Sequence, residues 1–380
     1  GKGGLLTLSV KAILNNSRQL PQDLSHSHFS ALSVKNALCD VIRDMRGDRP
    51  SVDVDTPDVP LVVMLRGTNG AASLSLYRSL HPPGSLHKRG YRRGSAIHKA
   101  AMKESLAAGL LREAGWHVKL REAKDADSLS SASGSSSNKT PLRLVDPMAG
   151  SGSFLLEAAM MAVDIAPGLV RIRCGVPDHA LPPVTRWKSD IDTEKLWKSI
   201  LLGASQRAKN GLQWIRDNPG QVTLQANDIH PGAIEIMESA LETAGLRNLV
   251  QITNMDCYDM ELVDENDLAA GIPYLVVTNP PWGIRLTEDI EDSWEGLRHY
   301  LRDVCPSGTE AWVLSGDKSS TKLLKMRRNR MIPIQTGDQT LRWINYTVQG
   351  KSSPKEEEEE EESGLEPVSA KTKVMQEDSW

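Results

Sequence analysis

The sequence predicts an α/β protein built around a doubly wound, mostly parallel sheet. From residue 141 to about 350, short apolar runs alternate with longer amphipathic stretches. This alternation is typical of parallel strands joined by crossover helices. Strands are expected near 142–146, 222–227, 249–253, 274–278 and 310–315, helices near 152–164, 194–217, 231–244 and 291–304, and a closing hairpin near 331–348.

A smaller α/β domain is predicted before this sheet, over residues 1–80. It would contain a strand near 5–10, a helix near 31–46 and strands near 60–65 and 72–77. Ala72 to Tyr77 alternate between small or polar and larger apolar side chains, which is the period-two pattern of a half-buried strand.

Between the two domains, residues 81–140 predict a linker region. Residues 81–99 are rich in proline, glycine and basic side chains, which indicates a hinge. A helix is expected at about 98–114, and the serine-rich stretch from Ser128 to Lys139 predicts a flexible surface insertion. The catalytic domain is then expected over 141–350.

Charge is unevenly distributed along the 380 residues. The formal net charge is −4, but residues 351–380 contain ten acidic and four basic side chains, so the rest of the chain is slightly basic. This terminal segment cannot bury enough apolar surface to fold and is predicted to be a disordered acidic tail. Any nucleic-acid contact must therefore come from local basic patches.

Composition also predicts the compartment. No run of eighteen apolar residues offers a membrane span, which predicts a soluble protein without a membrane partner. The four cysteines lie far apart, so neither a metal site nor a disulfide framework is expected. The isolated cysteines predict an intracellular, reducing compartment. Because the sequence opens at Gly1 inside an apolar run and looks truncated or processed, both a cytoplasmic and an organellar location stay open.

The first motif with chemical content is a strand, a glycine turn and a helix over residues 144–159. Asp146 and Pro147 end the strand, and Gly150 and Gly152 let the backbone pass close to a ligand at a helix N-terminus. A nicotinamide cofactor would require glycine where Leu155 stands. The arrangement instead favours binding of the amino-acid part of S-adenosylmethionine, with a ligand-free strand and turn as the alternative.

Two further acidic residues follow later strands. Asp228 comes after the strand at 222–227, where a carboxylate can accept hydrogen bonds from ribose hydroxyls. Asp256 follows the next strand and could accept from an adenine amino group. The alternatives are a helix cap for Asp228 and a turn-forming aspartate for Asp256.

The fourth strand leads into Asn279-Pro280-Pro281-Trp282. Two adjacent prolines fix the backbone and remove two N–H donors, which leaves carbonyl acceptors. Asn279 Oδ1 and the Pro280 carbonyl could each accept one proton of an NH₂ group and aim its lone pair at a sulfonium methyl. Trp282 could support a base that is swung out of its stack. This loop predicts methylation of an exocyclic amino group.

Basic side chains cluster at Lys88, Arg89, Arg92 and Arg93, with Tyr91 among them. This cluster suits contact with RNA phosphates, with a solvated charged loop as the alternative. A second cluster offers a weaker candidate for the same role: Lys322, Lys325, Arg327, Arg328 and Arg330.

Together these motifs resemble the THUMP-associated RNA guanine-N2 methyltransferases, and within them the bacterial-type enzymes that act on large-subunit ribosomal RNA. The resemblance covers about residues 28 to 348. The matching segments are Arg49 to Asp53, Ser85 to Arg92, Lys103 to Ala107 and Asp146 to Gly168. It implies a Rossmann-like class I methyltransferase domain with a seven-stranded sheet, preceded by a partial THUMP-like domain.

The resemblance also implies roles for individual residues. Asp146, Pro147, Gly150 and Gly152 would hold the methionine part of S-adenosylmethionine, Asp228 its ribose and Asp256 its adenine, and Asn279 to Trp282 would hold the target base and border the cofactor. The chain departs from the family's usual residues at three positions: Ala149 replaces Cys, Ser153 replaces Thr and Trp282 replaces Tyr.

The expected reaction is methyl transfer to guanine N2 in RNA, most simply ribosomal RNA. Transfer RNA is an alternative substrate that the catalytic residues do not distinguish from ribosomal RNA. A DNA adenine or protein glutamine methyltransferase could use the same loop, and a non-catalytic RNA-binding protein could keep the fold.

Overall fold

The computed structural model describes residues 6–68, 71–81, 88–92, 102–133, 140–175, 182–188, 190–282, 287–336 and 339–349. The chain divides into two compact units. The first comprises Gly1–Ser137, Gly150–Val222 and Gly232–Val250, and the second comprises Asn138–Ala149, Thr223–Pro231 and Gln251–Trp380. The predicted acidic tail, Arg93 and the predicted hairpin turn at Gly337-Asp338 lie outside the described residues.

The first unit opens with a three-stranded sheet and one helix. Its elements are β1 (Leu8–Asn15), α1 (Ser27–Arg46), β2 (Val59–Thr68) and β3 (Ala71–Arg78). β2 is central, parallel to β1 and antiparallel to β3. Val63 and Leu65 of β2 form its core with Leu20, because alternate strand residues point to the same face. The predicted elements are confirmed, although β1 runs five residues beyond the expected strand.

Among the described residues, six further α-helices belong to the first unit. They are α2 (Glu104–Glu113), α3 (Trp116–Ser133), α4 (Ser153–Ala162), α5 (Pro167–Arg173), α6 (Thr193–Asp217) and α7 (Pro231–Ala244). α6 passes close to the end of α4. The close approach is visible at Gly211, where a Cβ would collide with the Val163 carbonyl. The sequence predicted α2, α4, α6 and α7 but neither α3 nor α5.

The predicted serine-rich insertion is partly wrong, because Ser128 to Ser133 are helical. They form the last turns of α3, whose first turns bury Trp116 and Leu120. Serine costs only about 0.5 kcal/mol per residue in a helix relative to alanine, so a helix already nucleated by burial continues through it. Residues 134–139 of the predicted insertion lie outside the described residues.

The second unit contains the seven-stranded sheet. Its elements are β4 (Leu142–Asp146), β5 (Val222–Asn227), β6 (Val250–Thr253), α8 (Asn266–Ala269), β7 (Leu275–Thr278), α9 (Thr287–His299) with a π-helical turn at Tyr300–Val304, β8 (Glu310–Ser315), β9 (Arg328–Thr336) and β10 (Gln339–Thr347). The strand order is β6-β5-β4-β7-β8-β10-β9. β7 is parallel to both β4 and β8, while β10 is antiparallel to β8 and β9. The predicted strands and closing hairpin are confirmed.

Two further findings concern membrane spans and cysteine pairing. Within the described helices, none alone is both long and apolar enough to cross a membrane, and α4 with α5 meets that test only as a pair bent by 105°. All four cysteines are free thiols.

Candidate active site

The strand order reverses between β4 and β7, and this reversal locates the candidate site. In open parallel sheets, ligands bind beyond the carboxyl ends of strands at such a switch point. The pairing of Leu144 with Leu275 and of Val145 with Val276 brings the ends of the two strands side by side. Continuing this register places Asp146 opposite Val277, two residues before Asn279.

Asp146 is a carboxylic acid buried at this switch point. It is 1% exposed, and its Oδ1 accepts a hydrogen bond from the Met148 backbone N–H at 3.2 Å. Burial raises its pKa to about 8, against the opposing effects of the Thr278 hydroxyl and the Met148 N–H, and the nearby Asp228 carboxylate adds to the rise. Near neutral pH this carboxyl group therefore keeps its proton for the most part, and a cationic ligand beside it would favour the ionised, accepting form.

The raised pKa of Asp146 predicts a pH-dependent stability. The folded state keeps a proton that the unfolded chain loses near pH 4, so the free energy of unfolding falls as pH rises from about 4 to about 8. The slope contributed by one such group is at most about 1.4 kcal/mol per pH unit. Urea unfolding of the ligand-free protein between pH 5 and 8 should show this slope, and Asp146→Asn should remove it.

An exposed aspartate provides the control for that comparison. Asp125→Asn on α3 should leave the pH dependence as it is in the parent protein. Equal slopes for the parent protein and Asp146→Asn would show that Asp146 does not carry the buried proton.

Asn227, which the sequence analysis did not single out, ties three strand ends together. Its Nδ2 donates to the Pro147 and Met255 carbonyls, both at 3.1 Å. Its Oδ1 accepts from Thr253 Oγ1 at 2.9 Å and from the Met255 N–H at 3.2 Å. Since the side chain is fully buried, all four bonds are made away from water. Asn227 therefore fixes the loops after β4, β5 and β6 relative to one another.

Asp228 and Asp256 follow β5 and β6 and are each held by a local turn. Asp228 Oδ1 accepts from the His230 N–H at 2.9 Å, and Asp256 Oδ1 accepts from the Tyr258 N–H at 2.8 Å. Asp228 is almost buried, whereas Asp256 is exposed. The turn-forming alternative is present for Asp256, whereas the bond of Asp228 is to His230, which precedes α7, and is not the helix cap that was its alternative. Such a bond also orients a carboxylate, so it is compatible with ligand binding.

The glycine turn after β4 has the backbone geometry that the sequence analysis required. Gly150 and Gly152 have φ of 54° and 74°, in the left-handed region that favours glycine. A Cβ at Gly150 would meet no atom within 4 Å, so the turn borders open space there, whereas a Cβ at Gly152 would lie 2.5 Å from Met237 Cγ. Gly152 directly precedes α4, and the N-terminal end of a helix carries a partial positive charge that favours an anionic group.

The loop after β7 is held by two tryptophans. The Trp282 indole N–H donates to Asn279 Oδ1 at 2.9 Å, and the Trp294 indole N–H donates to the Pro281 carbonyl at 2.9 Å. Trp294 lies on α9 and is fully buried. The benzo ring of Trp282 lies against Gly316, where a Cβ would come within 2.5 Å of its carbon atoms. The contacts of Trp294 and Gly316 with this loop were not predicted from the sequence.

Two of the four predicted RNA-binding residues are internal instead. Arg89 is 4% exposed and forms a two-point ion pair with Glu157, at 2.9 and 3.1 Å. Arg92 donates to Ser153 Oγ at 2.6 Å and lies 3.8 Å from Glu104. The prediction of phosphate contact is therefore wrong for Arg89 and is not supported for Arg92, because both guanidinium groups are used within the protein.

The other two predicted RNA-binding residues are Lys88 and Arg93. Lys88 is exposed, and Arg93 lies outside the described residues.

In the part of the chain that the structure describes, no group of three histidine, cysteine, aspartate or glutamate side chains could hold a metal ion.

The sheet order, with its reversal between β4 and β7 and its antiparallel β10, is that of a class I methyltransferase. Comparison with known proteins agrees with this class. The family model for the RMKL-like methyltransferase domain matches residues 126–345, and the THUMP domain model matches residues 6–74. The chain belongs to the RMKL-like methyltransferase family and carries a THUMP domain.

Relatives of the chain include proteins named ribosomal RNA large subunit methyltransferase K/L. The one from Ectopseudomonas mendocina (strain ymp) is 34% identical over 333 residues, which cover 86% of this chain and 39% of the relative. The one from Allochromatium vinosum is 33% identical over 331 residues, which cover 86% and 38%. The chain thus spans about two fifths of the length of these relatives.

Solved structures share the fold at low sequence identity. A protein from Clostridium difficile 630, described as a possible methylase, has a TM-score of 0.62 at 19% identity and covers 92% of this chain and 76% of its own. A protein from Listeria monocytogenes, described as a predicted N6-adenine-specific DNA methylase, has a TM-score of 0.59 at 20% identity, with 91% and 74% covered.

Proposed function

We propose that this protein transfers a methyl group from S-adenosylmethionine to N2 of a guanine in RNA, with large-subunit ribosomal RNA as the substrate. The observation that carries the proposal is the adjacency of Asp146 and the Asn279 loop at the switch point of the sheet. The names of the relatives, which act on ribosomal RNA, and the THUMP domain favour RNA over DNA and protein.

The residues at the strand ends fit the cofactor. Asp146, Pro147, Gly150 and Gly152 would hold its methionine part, with the open space beside Gly150 giving a ligand access to the backbone of the turn. Asp228 would accept from the ribose hydroxyls and Asp256 from the adenine amino group. When bound, S-adenosylmethionine supplies an electrophilic methyl group on a sulfonium.

The loop after β7 would orient the nucleophile. Asn279 Oδ1 and the Pro280 carbonyl each accept one proton of the guanine amino group, which draws the nitrogen lone pair out of conjugation with the ring. Trp282 supports the extruded base. Neither role needs a dedicated general base, because the amine loses its proton after methyl transfer.

A basic segment that comes after the Asn279 loop in the sequence is a candidate surface for contact with the RNA backbone. From Lys318 to Arg330 the sequence has six basic and no acidic side chains, and all six basic side chains are exposed. This basic segment begins two residues after Gly316, which contacts Trp282. We therefore assign phosphate contact to the basic segment, together with Lys88 and Arg93, in an intracellular compartment where RNA is available.

Labelled S-adenosylmethionine tests the proposal directly. Purified protein is incubated with ribosomal RNA, transfer RNA, DNA and protein extracts from cells lacking the gene, and the products are hydrolysed and analysed by mass spectrometry. Label in N2-methylguanine of large-subunit ribosomal RNA is the expected result. Label in transfer RNA would change the substrate class, label in adenine or glutamine would overturn the guanine assignment, and absence of transfer would favour a non-catalytic RNA-binding protein.

A further inference from the structure

The hydrogen bond between Trp282 and Asn279 determines which way the asparagine amide points. An indole N–H can only donate, so the atom of Asn279 that lies 2.9 Å from Trp282 Nε1 must be the oxygen. The two ends of an asparagine amide are almost the same size, and only such a partner distinguishes them. The Trp282 side chain therefore selects one of two nearly equivalent orientations of the Asn279 amide.

The indole is held in place from two sides of the loop. Its benzo ring occupies space that any side chain at position 316 would need, because a Cβ there would be 2.5 Å from Trp282 Cε3 and Cζ3. The bond from Trp294 to the Pro281 carbonyl fixes the backbone one residue before Trp282. The half-buried side chain of Trp282, which follows two prolines, therefore has little freedom to move away from the Asn279 amide.

We propose that Trp282 is a positioning residue that keeps Asn279 Oδ1, and not Nδ2, directed at the amino group of the substrate. A carbonyl oxygen has two lone pairs, so Oδ1 can accept from the indole and from the substrate together. If the amide flipped, Nδ2 would present N–H donors in place of an acceptor. One amino proton would then lose its partner, and the donors would compete for the lone pair that must attack the methyl group. This inference rests on the proposed function, because it needs an amino group as the methyl acceptor.

The hydrogen bond itself is tested without any activity measurement. In protein labelled with ¹⁵N at tryptophan, the indole resonance of Trp282 is assigned by its disappearance in Trp282→Phe. Asn279→Ala and Gly316→Ala should both move that resonance upfield in its proton dimension, because each breaks the bond, and Asn210→Ala on α6 should leave it unmoved. An unchanged resonance in Asn279→Ala would overturn the inference.

Kinetics then test the positioning role. Replacement of Trp282 by β-(3-benzothienyl)alanine keeps the size of the aromatic ring system and substitutes sulfur for the N–H. We expect kcat for RNA methylation to fall about tenfold, as for loss of one positioned hydrogen bond, while KM for RNA changes less than about threefold. A loss of stacking alone would raise KM instead.

Failure of the proposed function and failure of the positioning role of Trp282 give different experimental results. If the wild-type protein methylates no RNA, the proposed function fails, while the resonance experiment still reports on the hydrogen bond. If the wild-type protein is active and the benzothienyl variant keeps the full kcat, the proposed function stands and the positioning role of Trp282 is refuted.

Discussion

Asn279→Ala is expected to lower kcat for RNA methylation by about two to three orders of magnitude, as for removal of one preorganised acceptor in an active site. The alanine has no oxygen to accept a proton of the amino group, so the nitrogen lone pair stays conjugated with the base. The effect should appear in single-turnover rates measured with labelled S-adenosylmethionine and saturating RNA.

Two comparisons make that result specific. Asn210→Ala, an exposed asparagine on α6, should keep the wild-type rate. Cofactor affinity measured by calorimetry should change much less than the rate, because Asp146 and Asp228 remain. A rate for Asn279→Ala within tenfold of the wild-type rate would remove Asn279 from the chemistry.

Arg89→Ala is expected to lower the free energy of unfolding by about 3–5 kcal/mol. The substitution leaves the carboxylate of Glu157, which is 2% exposed, without its two-point partner. Burial already raises the pKa of Glu157, with the Arg89 guanidinium opposing the rise, so the variant should unfold or take up a proton on that side chain. Urea unfolding at pH 7 measures the loss.

The companion variants separate ion pairing from packing. The double variant Arg89→Met with Glu157→Leu removes both charges together and should recover most of the stability. Lys88→Gln, at the exposed neighbour, should change the free energy of unfolding by less than about 0.5 kcal/mol. Equal stability of Arg89→Ala and the wild-type protein would mean that Arg89 is not structurally required, and would return it to the candidates for RNA contact.

The difference between Arg89 and its neighbours shows where sequence reasoning ends. Local patterns identified the strands, the glycine turn and the Asn279 loop, because periodicity and proline or glycine chemistry act over a few residues. The role of Arg89 depends on Glu157, 68 residues away, and no local signal distinguishes an arginine paired inside the protein from one that faces solvent. The same holds for Trp294. In the sequence it resembles an ordinary apolar helix residue, and only the structure shows that its indole N–H donates to the Pro281 carbonyl.

Asn227 could have been suspected from the sequence. A polar amide at the end of an apolar strand, one residue before a candidate ligand-binding acid, must satisfy its donors and acceptors if it is buried. Its partners, Pro147 and Met255, could be known only once the order of the strands was fixed.

The pairing of β4 with β7 has a consequence for biosynthesis. Leu144 and Leu275 are neighbours in the sheet but about 130 residues apart in the chain. At a translation rate of about 5–20 residues per second, β4 emerges from the ribosome roughly seven to twenty-six seconds before β7, so its apolar edge stays unpaired for that time. The nascent chain therefore exposes an unpaired apolar strand edge well before the two strand ends of the candidate site can come together, and such an edge favours aggregation until it is covered.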